Sequence, residues 1–261
     1  MDATMMHDPL GTAAIFAHGE HIHATSRIGL FDGEQVTWRS YAETAERARR
    51  LAAALRSAGV DANTRVATLS WNDFAHFEAY LAVPAMGAGL HTLNLRLHPD
   101  QLRFIMSAAE DALLLADGAL LAGLLPRLNS LEGLEHVVVT GDITGLAGLE
   151  KPWTAYEDFI AGHAPIAQFP DVDETAAAAT CYTSGTTGDP KGVAYSHRTV
   201  FLHSLASMAA NAFALSDRDR ILLLPPMFHA NAWGLPYSGW LAGADFVLPG
   251  PHLQPGAIRR M

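Results

Sequence analysis

The residue pattern predicts an α/β fold in which two doubly wound, mostly parallel sheets with helices on both faces form two subdomains. Three observations predict it. Short apolar segments rich in Val, Leu and Ala alternate with longer segments whose apolar residues recur every three or four positions along the 261 residues, the mark of successive β–α–β units. Helix-opening residues, Ser40, Asp73, Pro99 and Ser196, stand at the junctions between the two kinds of segment. A loop rich in glycine and hydroxyl groups follows one strand of small residues, at the edge where ligands gather in open sheets.

Each element has its own signal. Residues 27–37 read as a hairpin that turns at Asp32 and Gly33. Ser40 and Glu43 form a capping box, and Ala45, Ala48, Ala52 and Leu55 give the next helix one apolar face. Glu43 with Arg47 and Glu46 with Arg50 have the spacing of helix-supporting pairs, and Gly59 closes the helix. Residues 65–70 are a strand, Asn72 and Asp73 open a helix that ends by Gly87 and Gly89, and residues 90–93 are the next strand. Pro99 begins a helix, residues 112–116 are a strand, and a leucine-rich helix leads to the strand 134–140. Residues 141–173, rich in Gly, Pro and charge with a short helical stretch at 156–160, join the two expected subdomains, residues 1–170 and 171–261. Residues 175–182 and 192–195 are strands, a helix runs from Ser196 and His197 to about residue 213, residues 219–224 are a strand, and residues 257–261 open a further helix.

Composition narrows the function. The net charge is −10, from 17 basic and 27 acidic side chains, with no basic stripe, which argues against a nucleic-acid surface. No apolar run reaches the ~18 residues of a membrane span, and the first residues lack the pattern of a targeting peptide. A cytoplasmic protein is expected. Cys181, the single cysteine, excludes an internal disulfide and, lying in an apolar strand, reads as a small buried residue. His18, Glu20, His21 and His23 match no ligand spacing and read as a solvated segment.

The stretch that carries chemistry is residues 180–193, TCYTSGTTGDPKGV. Glycines let backbone N–H groups approach an anion, the Ser and Thr hydroxyls add donors, and Lys191 adds a point charge. It is not a Walker A loop, because Pro190 stands where the second glycine belongs and Gly192 where a hydroxyl should follow the lysine. Residues 182–192 resemble instead the phosphate-loop signature of the adenylate-forming superfamily of acyl-CoA synthetases, peptide-synthetase adenylation domains and luciferases. The resemblance implies that Thr183, Ser184, Gly185, Thr186, Thr187, Gly188 and Lys191 hold the phosphates of ATP, with Thr183 as a Mg²⁺ contact and Lys191 as a phosphate partner.

A second stretch, PMFHANAWGLPY at residues 226–237, follows a strand. Its histidine alone suits either a satisfied core position or work at the sheet's C-terminal edge. The stretch is similar to the second motif of that superfamily in its medium- and long-chain fatty-acyl-CoA synthetase branch. This implies that His229 lies near the substrate carboxylate, that Trp233 gates the acyl tunnel and that Ala230 lines the nucleotide side. Leu248 to Pro251 continue the match, and Ser70-Trp71-Asn72 with residues 87–97, GAGLHTLNLRL, resemble the same branch. Within these, His91 and Asn94 read individually as satisfied structural residues.

The resemblance implies fatty acid, ATP and coenzyme A as substrates, acyl-adenylate formation followed by thioester formation, and related proteins that often form homodimers. No Tyr-Gly-x-Thr-Glu or Thr-Gly-Asp follows residue 193, so the chain is expected to be a truncated N-terminal portion of a synthetase, inactive alone. The alternative is a non-catalytic nucleotide-binding or interaction module.

Overall fold

Local chemistry accounts for most elements of the computed structural model, which describes residues 4–5, 8–183 and 190–261. The chain opens with α1 (Thr12–Ile22), where the sequence suggested a solvated segment. Burial of Ile15 and Phe16 and a 2.5 Å ion pair between Glu20 and Arg49 hold this helix on the core. β1 (Arg27–Phe31) and β2 (Val36–Ser40) form the expected antiparallel hairpin, with Gly33 at φ 107° in its turn. α2 (Tyr41–Ser57) starts with the expected capping box, Ser40 Oγ accepting from Glu43 N at 3.1 Å and Glu43 accepting from Ser40 N at 2.7 Å. Glu43 is thereby committed, so Arg47 pairs with Glu78 and Glu157 instead, while Glu46 and Arg50 do pair at 2.7 Å.

β3 (Arg65–Leu69), α3 (Phe74–Ala85), β4 (Gly89–Thr92), α4 (Pro99–Ala109) and β5 (Asp111–Asp117) follow the expected alternation. The leucine-rich segment is two short helices, α5 (Gly118–Leu121) and α6 (Leu125–Asn129), because Gly123 and Pro126 interrupt it. β6 (His136–Thr140) precedes β7 (Trp153–Ala155), an edge strand too short to show a period, and α7 (Tyr156–Ala161). β8 (Ala177–Thr183), β9 (Lys191–Ser196) and α8 (His197–Met208) come next, α8 stopping short of the expected residue 213. β10 (Arg220–Leu222), α9 (Leu235–Ala242), β11 (Asp245–Leu248) and α10 (Pro255–Ile258) complete the chain.

The larger sheet has the order β7-β6-β5-β3-β4-β8-β9 and is parallel except where β8 meets β9. The smaller has the order β10-β11-β1-β2, parallel except between β1 and β2. Each sheet takes strands from both sides of residue 170. Alternate residues of the larger sheet serve two cores. Val66, Leu113 and Val138 face α1, α2, α3 and α9 between the sheets, while Ala67, Leu114 and Val137 face α4, α5 and α6. Trp240 is the hub of the shared core, stacked on Tyr41 at 4.0 Å and donating from Nε1 to Phe16 O at 3.1 Å.

Helix α1 passes so close to this tryptophan that a Cβ at Gly19 would stand 2.1 Å from Trp240 Nε1. Alanine normally stabilises a helix interior over glycine by about 1 kcal/mol. Here Gly19→Ala is expected to destabilise by about 1–3 kcal/mol through overpacking, seen as a lower denaturant midpoint. A midpoint at or above wild type would show that the contact is not tight.

Candidate active site

The site is assembled from two strand ends and one strained turn. β8 is built of small residues and ends at Thr183, and β9 returns antiparallel from Lys191, so these two residues are direct cross-strand partners. Thr183 Oγ1 donates to Lys191 O at 3.5 Å, and both side chains are exposed at the C-terminal edge of the parallel strands. Ser184, Gly185, Thr186, Thr187 and Gly188 lie outside the described residues. Lys191 is one of only two lysines in the chain, the other being Lys151.

The segment after β10 is fixed by Asn72, which the sequence placed at a helix start and in the Ser70-Trp71-Asn72 stretch. Its Nδ2 donates to Leu223 O at 2.7 Å and to Pro225 O at 3.0 Å, and its Oδ1 accepts from Met227 N at 2.8 Å. Its own carbonyl accepts from Gly250 N at 3.0 Å, beyond the end of β11. Asn72 itself is steadied by its neighbours. Asp73 caps α3, and His76 bonds Trp71 O at 2.9 Å and Thr68 Oγ1 at 3.0 Å.

The chain then enters a turn in which Ala230, Asn231, Ala232 and Trp233 all have positive φ, from 45° to 58°, followed by Gly234 at 71°. A left-handed backbone costs roughly 1–2 kcal/mol for each such L-residue, so the turn must be held. Asn231 holds it. Buried at 6% exposure, its Oδ1 accepts from Cys181 Sγ at 3.1 Å and from Tyr80 Oη at 3.4 Å. Cys181 lies two residues before Thr183, and burial pushes its thiol pKa up, so it serves as a buried donor. The expected small buried residue is therefore also the link between the two motifs.

The turn leaves His229 exposed and Trp233 59% exposed. Ala230 and Trp233 line a cavity of about 380 Å³ between α8, β9 and α9, together with Tyr195, Val200, Phe213 and Tyr237. A mostly apolar cavity beside an exposed histidine and a loop mouth with a lysine can hold an apolar chain at one end and an anionic group at the other. Asn94 follows the structural reading, its Oδ1 accepting from Arg96 N at 3.0 Å, whereas His91 follows it only in part: its Nδ1 bonds the buried Asp111 carboxylate at 2.7 Å, and its Nε2 has no hydrogen-bond partner among the described residues. Tyr80, Asn231 and Tyr237 are residues of the candidate site that the sequence did not single out individually, and Asn72 was marked only by its place in a motif and at a helix start. The available signal was polar side chains standing in strongly apolar or motif-bearing contexts.

Two mostly parallel sheets, with Thr183, Lys191 and an exposed histidine at or beyond their strand ends, define an α/β domain of the kind that binds ligands at its C-terminal edge. Residues 17–261 match the family of AMP-binding enzymes, and the chain belongs to that family. It is 43% identical to a long-chain-fatty-acid–CoA ligase of Thermus thermophilus, over 98% of this chain and 46% of that protein. It is 40% identical to a 3-methylmercaptopropionyl-CoA ligase of Ruegeria pomeroyi, over 97% and 48%. The fold is shared with an anthranilate CoA ligase, AuaEII, in complex with anthranoyl-AMP, with a TM-score of 0.83 at 21% identity, over 95% of this chain and 46% of that one. The chain spans about half the length of the curated relatives it matches.

Two predictions follow from the clamp. Asn72→Ala leaves Leu223 O, Pro225 O and Met227 N unpaired in a buried place and is expected to cost about 3 kcal/mol, measured by chemical denaturation. A loss under about 0.5 kcal/mol, the scale of an ordinary surface substitution, would mean the segment is held by other contacts. Burial lowers the pKa of His76 from 6.5 to about 4. The folded protein therefore resists this proton, and the stability present above pH 6.5 falls by about 3 kcal/mol as pH drops towards 4. His76→Gln should remove that portion of the acid loss in stability measured from pH 7 to 4. An unchanged acid profile would contradict it.

Proposed function

We propose that the protein carrying this chain is an ATP-dependent fatty acid–CoA ligase of the cytoplasm. A carboxylate oxygen of the acid attacks the α-phosphorus of ATP and pyrophosphate leaves, giving an acyl-adenylate. The thiol sulfur of coenzyme A then attacks the acyl carbon, AMP leaves and the thiol proton passes to solvent. The observation that supports this most is the Cys181–Asn231 hydrogen bond, which sets the His229–Trp233 turn against the strand that delivers the phosphate loop. That contact supports reading the loop as the anion site and the neighbouring cavity as the acyl site.

The residues divide the work. Lys191, with the hydroxyl and backbone donors of residues 183–188, offsets the charge that grows on the departing pyrophosphate, which is electrostatic preorganisation. His229 positions the carboxylate at the cavity mouth, Trp233 gates the cavity and Ala230 borders the nucleotide. The hydroxyl of Thr183 suits a hard cation, and Mg²⁺ bound there would neutralise phosphate charge. The exposed Leu202 and Leu205 on α8 support self-association as a homodimer.

In the complete protein, Lys191→Ala is expected to lower acyl-adenylate formation by about 10²–10³-fold while stability is kept, because the side chain is exposed. A wild-type rate would sink the loop assignment. The competing reading is a nucleotide-binding or interaction module. Measured separately, ATP binding without any acyl-adenylate from any fatty acid would select it.

A further inference from the structure

Helix α8 gives the cavity beside the left-handed turn a wall that an unsubstituted hydrocarbon chain does not need. Its leucines Leu202 and Leu205 are exposed to solvent, while Thr199 and His203, one turn apart, line the cavity with Val200. Tyr195, near the end of β9, adds a third polar side chain to the same lining. The Tyr195 hydroxyl makes no hydrogen bond among the described residues, and it is open to solvent, unlike the sealed hydroxyl of Tyr237. It is therefore a donor that a bound molecule can reach.

His203 supplies the complementary group. It is exposed, and its ring lies so close to Gly234, which borders the same cavity, that a Cβ there would stand 2.6 Å from Nδ1. Ser207 Oγ donates to His203 O at 2.8 Å, so towards His203 Nδ1, 3.4 Å away, it accepts. That puts the proton of the neutral imidazole on Nδ1 and leaves Nε2 an acceptor with no partner among the described residues. Thr199, by contrast, already shares its hydroxyl with Ser196 Oγ at 2.8 Å. One donor and one acceptor match a group that both accepts and donates, which is a hydroxyl. An oxo or ether oxygen would use only the donor, and a methylene neither.

We propose that Tyr195 and His203 are specificity-determining residues that together bind a hydroxyl group carried on the acid, Tyr195 donating to its oxygen and His203 Nε2 accepting from its O–H. The site then selects hydroxylated carboxylic acids over unsubstituted acids of equal length. This rests on the cavity being the acyl site of a CoA ligase. Hydrogen bonds to a substrate hydroxyl separate substrates more sharply than added methylenes do.

The test compares kcat/KM for thioester formation in the complete protein, wild type against Tyr195→Phe and His203→Leu. The acids are octanoate and octanoates carrying one hydroxyl at successive carbons. The expected result is that one hydroxylated acid exceeds octanoate by about tenfold in the wild type and that this ratio falls towards one in each variant. A structural role for either side chain would lower all acids alike and leave the ratio where it was. No preference for any hydroxylated acid in the wild type, or a ratio unchanged in either variant, would overturn the proposal. Failure to form a thioester with any acid while ATP still binds would overturn the ligase reading itself, and the proposal with it.

Discussion

Four hydrogen bonds at Asn72 join the C-terminal edges of the two sheets, and the site exists because of them. The residue sits just beyond β3 of the larger sheet, yet its amide holds the exit from β10 and its carbonyl holds the chain beyond β11, both in the smaller sheet. An asparagine side chain offers two donors and an acceptor in one plane, and here every one of those used meets a backbone group that has no strand partner. Ligands bind open α/β sheets at the C-terminal edge. Tying two such edges together makes one site out of two.

That tie also explains how a strained turn persists. Positive φ at Ala230, Asn231, Ala232 and Trp233 is unfavourable for each residue. The cost is met because Met227 is fixed on one side by Asn72 and Asn231 on the other by Cys181 and Tyr80. The turn in exchange presents His229 and Trp233 outward from a buried anchor. Rigid support beneath an exposed reactive edge is what positioning of a substrate requires.

A buried charge supports the same helices from behind. Glu78, on α3, accepts from Arg39 Nη1 at 2.9 Å, from Arg47 Nε at 2.7 Å and from the Tyr156 hydroxyl. Burial raises the pKa of this carboxyl, opposed by the two guanidinium groups and the phenol that bond it. Two cations and one phenol on a single carboxylate tie β2, α2 and α7 to α3. Removing one partner would leave buried charge uncompensated. Arg47, left free by Glu43's role in the capping box, joins this tie, which local spacing could not reveal.

Much was legible in the residues because its cause is local. The capping box at Ser40 and Glu43, the turn at Gly33, the helix starts at Asp73 and Pro99 and the period of the strands depend on neighbours within a few positions. The motifs of residues 180–193 and 226–237 were legible for the same reason: each lies in one run of chain. What the chain by itself determined is therefore the α/β class and the family. Tertiary structure alone decided that β1 and β2 join β10 and β11, that α1 packs as a helix, and that Cys181 bonds Asn231. Those pairings link residues up to more than two hundred positions apart, as between β1 and β11. They follow from which apolar faces and buried polar groups find each other when the two sheets close, which no local spacing records.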